Sequence, residues 1–169
     1  MVLGETERLA FFLLLPLSLA LAAWKGGVPE RLGALVIVVM AVVQWIAILF
    51  DPSEFVSVDP ASLITDAVGA VGFGILAVQA RRIWPIWAAS LQLLSLSAHF
   101  ARWADIGVPP FVYALMRGAP TFLVLIALLL GTILHMMRLK RHGADPSWQD
   151  WSRARAAYGR HPQGFSRRS

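Results

Sequence analysis

Cysteine is absent from the 169 residues, which excludes disulfides, thiolate metal sites and a cysteine nucleophile together. Charge is scarce as well. Asp, Glu, Lys and Arg make up 15% of the chain, against about 25% in a soluble domain. Lysine is nearly missing, with two residues against thirteen arginines; with abundant Ala and Leu, that usage points to a GC-rich bacterial source. What fills the chain is apolar: hydrophobic residues reach 57% and the mean hydropathy is +0.64. A chain of this length is expected to form one domain, and this composition makes lipid its solvent.

The net charge of +5 misleads as an average. From Arg138 onward eight basic residues stand against Asp145 and Asp150, a balance of +6, so everything before carries −1. The basic pI describes a tail, and nucleic acid is not an expected partner.

Crossing a bilayer core of ~30 Å takes about 20 apolar residues in a helix. Five segments qualify: Leu9 to Trp24, Leu32 to Phe50, Ala61 to Ala80, Ile83 to Trp103 and Ala119 to Met137. Strands are implausible, because an open sheet edge in lipid leaves backbone groups without partners. Arg81 and Arg82 alone turn the third span into the fourth. The stretch from Ala104 to Gly118 reads as a loop with an interfacial helical turn over residues 111–116, and Pro120 as a first-turn proline of the fifth span. The expected fold is therefore an all-α polytopic transmembrane bundle over residues 1–138, followed by a cytoplasmic basic tail over 139–169.

Lysine and arginine set the orientation. With the C-terminus inside, Lys25, Arg31, Arg81, Arg82 and the tail place twelve of the fifteen basic residues in the cytoplasm. Arg8, Arg102, Arg117 and the acidic loop with Asp51, Glu54 and Asp59 fall outside. The reading is N-out, C-in, in a bacterial inner membrane. Trp24, Trp84 and Trp87 would anchor one interface, Trp103 and Tyr113 the other. A rival reading makes the first span a signal peptide cleaved near Ala20-Leu21-Ala22, but Glu5, Glu7 and Arg8 are no basic leader.

In the tail, Asp145-Pro146-Ser147 reads as a helix start. Trp148, Trp151, Ala154 and Tyr158 would then share a face beside Arg153 and Arg155. That pattern resembles an interfacial amphipathic helix on anionic headgroups; the alternative is a solvated basic tail. Trp148, Trp151, Arg153 and Arg155 are the candidates for contact with the membrane surface or a partner. Beyond Gly159 disorder is expected.

Ionisable residues at membrane depth are costly and face protein or water. Asp66 in the third span shares a helical face with Ala70, Gly74 and Ala77, small residues that admit a close neighbour. The fourth span carries Ala88, Gln92, Ser95, His99 and Arg102 on one stripe. If the arginine pair is the centre of the hairpin, Asp66 faces position 97, so it meets Ser95, His99 or both. Arg102 lies one turn further out, and Gln44 on the second span at matching depth.

Other chemistries fit poorly. His99 and His135 lie well over ~10 Å apart along the normal, too far for one haem iron. Asp66 with His99 is two ligands where zinc needs three or four. A Ser95–His99–Asp66 hydrolase lacks a nucleophile elbow and oxyanion donors. Gly69, Gly72 and Gly74 lie mid-membrane with no preceding strand, so they read as close packing and not as a nucleotide loop. His135 reads as a hydrogen-bonded interfacial residue. No cofactor or metal is expected.

The leading expectation is a non-enzymatic accessory, scaffold or regulatory subunit, in contact with lipid and with other membrane subunits or copies of itself. The alternative is a small carrier or sensor that binds a ligand or proton at Gln44, Asp66, Ser95, His99 and Arg102.

Overall fold

The computed structural model describes residues 5–50, 60–104, 107, 110–150 and 152; the side chains at 5–8, 47, 48, 50, 102, 110, 111, 113, 114 and 117 lie outside that description. It is all-α, with helices α1 (Glu5–Lys25), α2 (Val28–Phe50), α3 (Pro60–Gln79), α4 (Trp84–Trp103) and α5 (Pro110–His142). Three stretches are long and apolar enough to cross a membrane: Val28–Ile46, Pro60–Gln79 and Gly118–His142. The apolar part of α1 is shorter, Leu9–Lys25, and α4 is diluted by Gln92, Ser95 and His99.

The helices close a ring. Helix α3 packs on α2 and α4, α4 on α5, and α1 on α5 and α2, while α2 and α5 touch across the middle. Large apolar side chains point outward, among them Leu13, Trp45, Val71 and Trp103. Phe73, Leu125 and Leu128 fill the centre. In lipid, burial of apolar surface between helices gains little, so close packing and interhelical hydrogen bonds hold such a bundle.

Four expectations need correction. The fifth helix begins nine residues before the expected span. Pro110 opens it, residues 111–116 are its first turns, and Pro120 lies inside it, fully buried. The missing amide of Pro120 thus falls inside the helix, beyond its first turn.

The buried face of α3 is rotated from the expected one. It consists of Ser62, Thr65, Asp66, Gly69, Phe73 and Leu76. A Cβ at Gly69 would lie 2.7 Å from Met40 Sδ and 2.9 Å from Gln92 Cδ, and one at Gly72 would lie 2.8 Å from Val36. A Cβ at Gly74 would meet nothing. Two of the three glycines are therefore close-packing positions and the third is not.

Trp84 is not an interfacial anchor but a wedge in the core, 6% exposed. A Cβ at Gly33 on α2 would overlap the tip of its indole, and one at Gly131 on α5 would overlap the pyrrole edge. The ring is held lengthwise between two helices, edge-on to Phe73 of α3. Trp24, Trp87 and Trp103 are exposed, as an interfacial role requires; the Tyr113 side chain lies outside the described residues.

Helix α5 ends at Gly143, whose φ of 69° is the left-handed conformation that terminates helices without a Cβ penalty. The chain then doubles back. Arg81 N–H donates to Ser147 O at 3.1 Å and Gln149 N–H to Gln79 O at 2.8 Å, an antiparallel bridge of Trp148 with Ala80. Residues 144–150 are thus an extended strap across the α3–α4 turn, and no helix starts at Asp145. Asp150 accepts from the backbone and hydroxyl of Ser152. Trp148 is half-exposed on the strap; Trp151, Arg153 and Arg155 lie outside the described residues.

Candidate functional site

Polar side chains gather at two places inside the bundle. The first joins α3 to α4. Asp66 Oδ2 accepts from Ser95 Oγ at 2.6 Å and from His99 Nε2 at 3.0 Å. The short α3–α4 turn makes the two helices antiparallel neighbours, and Ser95 and His99, one turn apart on α4, flank the single acid on α3. All three side chains are buried. Gln44, expected at matching depth, accepts at Oε1 from Thr65 Oγ1 at 3.2 Å, which ties α2 to the same region. Arg102 lies on α4, but its side chain is outside the described residues.

Two parts of this cluster stay unsatisfied. Neither amide atom of Gln92 has a hydrogen-bond partner, and neither has His99 Nδ1. Gln92 is 1% exposed and lies against Gly69. Buried polar atoms without partners cost about 1–3 kcal/mol each. The described groove of about 230 Å³ is elsewhere, between α1 and α2, and wholly apolar along Leu15, Leu19, Ile37, Val38, Ala41, Val42 and Trp45. It has nothing to orient a polar ligand.

The second cluster was not anticipated. Glu30, in the first turn of α2 and fully buried, accepts at Oε1 from Arg82 Nε at 3.2 Å and from Trp84 Nε1 at 3.1 Å. Gly27 makes room for it: a Cβ there would lie 2.9 Å from both Glu30 Oε2 and His135 Cε1. The outer edge of the Arg82 guanidinium grips Asp145 of the strap, Nη1 to Oδ1 at 3.1 Å and Nη2 to Oδ2 at 2.8 Å. Arg82 Nη1 also donates to the carbonyls of Arg81 and Pro146. His135 Nδ1 and Arg138 Nε reach Asp145 Oδ2 at 2.7 Å and 3.2 Å. Four segments thus meet: the start of α2, the α3–α4 turn, the end of α5 and the strap.

Composition hid this cluster. Arg82 and Lys25 count as loop charges under a rule that weighs only basic residues, and Glu30 and Asp145 count as nothing. The usable signal is an acid placed among basic residues on one side of the spans. Glu30 precedes Arg31, and Asp145 follows Lys140 and Arg141. Acids there have cations within reach once the helix ends come together.

Burial alone would raise the pKa of Asp145, but hydrogen bonds from His135 and Arg138 and the charges of Arg82 and Arg138 outweigh it and hold the carboxyl below its ordinary value of 3.8. A carboxylate depressed in the folded state stabilises fully above the unfolded pKa and loses that contribution as pH falls through the folded one. The strap is therefore expected to stay docked at and above the ordinary carboxylate value and to release only as pH falls further, through the lowered one. Protease cleavage in residues 144–150, followed at stepwise lower pH with an acid-stable protease, checks this; release already at pH 6 would contradict it.

The chain matches no family model, no curated protein and no solved structure.

Proposed function

We propose that the chain is a five-span protein of a bacterial inner membrane, N-out and C-in, acting as a non-enzymatic accessory or scaffold subunit. Helices α1 and α4, of 21 and 20 residues, reach ~30 Å at 1.5 Å per residue, enough to cross. Each carries exposed large apolar side chains, Leu13 and Trp103 among them. The cytoplasmic side is assigned to the end where Lys25, Arg31, Arg82 and Arg138 gather with the tail, following the distribution of basic residues.

One observation carries the scaffold reading. Asp66 is bonded by both Ser95 and His99, and all three side chains are buried between helices. That is how intramembrane polar groups hold helices together. The exposed apolar flanks and the basic tail are then the surfaces for lipid and for other subunits or further copies of the chain.

Asp66→Asn is expected to lower stability by about 1–2 kcal/mol, the scale of a membrane hydrogen bond. Reversible unfolding of the detergent-solubilised protein in SDS measures it. The partnerless Gln92 amide and His99 Nδ1 favour a second reading, a sensor of protons or of a small polar ligand in the Gln44/Asp66/Ser95/His99/Arg102 region. Unchanged stability in Asp66→Asn, with loss of a pH-dependent conformational signal, would decide for the sensor and against the scaffold.

A further inference from the structure

We propose that Arg82, His135 and Arg138 form an oxyanion-binding site, that Asp145 is its built-in occupant, and that a phosphate or phosphate ester competes for it. This inference is independent of the role assigned to Asp66; only the lipid arm of its test rests on the proposed orientation.

The cradle has the donor geometry of such a site. The Arg82 guanidinium presents its two terminal nitrogens to the two oxygens of Asp145, a fork that suits carboxylate and phosphate alike. His135 Nδ1 and Arg138 Nε converge on the same Oδ2. The Arg82 side chain is 3% exposed, so these donors are largely withdrawn from water, where charge-assisted hydrogen bonds are stronger.

Part of the cradle is held independently of its occupant. Arg82 Nε is tied to Glu30, itself held by Trp84 Nε1, and His135 and Arg138 lie on α5, one turn apart. Besides the side-chain bonds of Asp145, the Pro146 carbonyl on Arg82 and two backbone hydrogen bonds to the α3–α4 turn join the strap to the bundle, and Gly143 precedes it as a pivot.

Charge supplies the driving force. With Asp145 in place, two acids, Glu30 and Asp145, balance Arg82 and Arg138. Without it Glu30 alone faces two arginines, with His135 neutral or adding a further positive charge. Lys140 and Arg141 follow on the same helix end, and Arg81 precedes Arg82. Arg82 keeps Glu30 on its Nε, but its two terminal nitrogens lose the carboxylate they held and the site carries excess positive charge, so the emptied cradle takes up an anion. A phosphate group brings the charge and the oxygen spacing. It has two sources, free phosphate in the cytoplasm and the phosphodiester of an anionic lipid at the inner interface.

The test uses the full-length chain in neutral detergent and inorganic phosphate as the probe, by calorimetric titration. Asp145→Ala is expected to bind phosphate at least about tenfold more tightly than the wild type. Adding Arg138→Gln, at a side chain 38% exposed and so tolerant of change, is expected to remove most of that gain. In the second arm the same proteins meet phosphatidylcholine vesicles with and without phosphatidylglycerol. A gain confined to the phosphatidylglycerol vesicles assigns the oxyanion to a lipid headgroup, and a gain with inorganic phosphate assigns it to a soluble anion; either supports the site. Asp145→Asn keeps the side-chain volume and replaces Asp145→Ala if that variant is unstable. Folded variants with no gain in either arm overturn the proposal, and so do variants that unfold and that neither anion refolds.

Discussion

Replacing Trp84 by Ala is expected to destabilise the bundle by about 3–5 kcal/mol, the range for emptying a large aromatic site. The indole spans the gap between Gly33 and Gly131 and closes on Phe73, so α2, α3 and α5 all lose a surface at once. Its Nε1 also supplies one of the two donors to the buried Glu30. The complementary change is overpacking. Gly131→Ala places a methyl into the ring, and the ring cannot slide away because Gly33 blocks its far end. That variant is expected to cost about 1–3 kcal/mol. The two effects should not add: with Trp84→Ala already present, Gly131→Ala has space and should cost nearly nothing. A double-mutant cycle by SDS unfolding measures this, and additive costs would refute the wedge.

Arg82→Gln is expected to be comparably severe, about 3–5 kcal/mol, because it leaves Glu30 an uncompensated buried acid and takes the two-nitrogen grip from Asp145. The loss is mainly a desolvation penalty and not the net worth of the ion pair. Removing the buried partner as well should therefore recover much of it. The double variant Glu30→Gln with Arg82→Gln is expected to be more stable than Arg82→Gln alone. Thermal unfolding of the three proteins in one detergent settles the matter. A double variant that sums the single losses would show that Arg82 holds the turn by some other means.

Much of the hydrophilic seam was legible from spacing. Asp66, Ser95 and His99 meet because antiparallel neighbours joined by a short turn have a calculable register, and helix geometry converts position into depth. Gln44 was legible only by depth, and its partner Thr65 stands next to Asp66 on α3. Register is arithmetic along one axis. Rotation about that axis is not: the packed face of α3 runs through Gly69 and Phe73 and leaves Gly74 open. All three glycines look alike to a pattern of small residues, and only the neighbours on α2 and α4 tell them apart.

The sequence by itself determined that the chain holds stretches long and apolar enough to cross a membrane, that such stretches are helical, and that an acid and a histidine within the helices turn toward protein. These follow from composition and from period, which are local quantities. Only the tertiary structure decided that Trp84 is a core wedge, that Pro120 lies within one long helix, and that Asp145 leaves the tail to join Arg82, His135, Arg138 and Glu30. Each of those depends on which helix ends converge in space. A charge near a span terminus carries no mark of whether water or an opposite charge awaits it, because that partner can lie as far as 63 residues away along the chain.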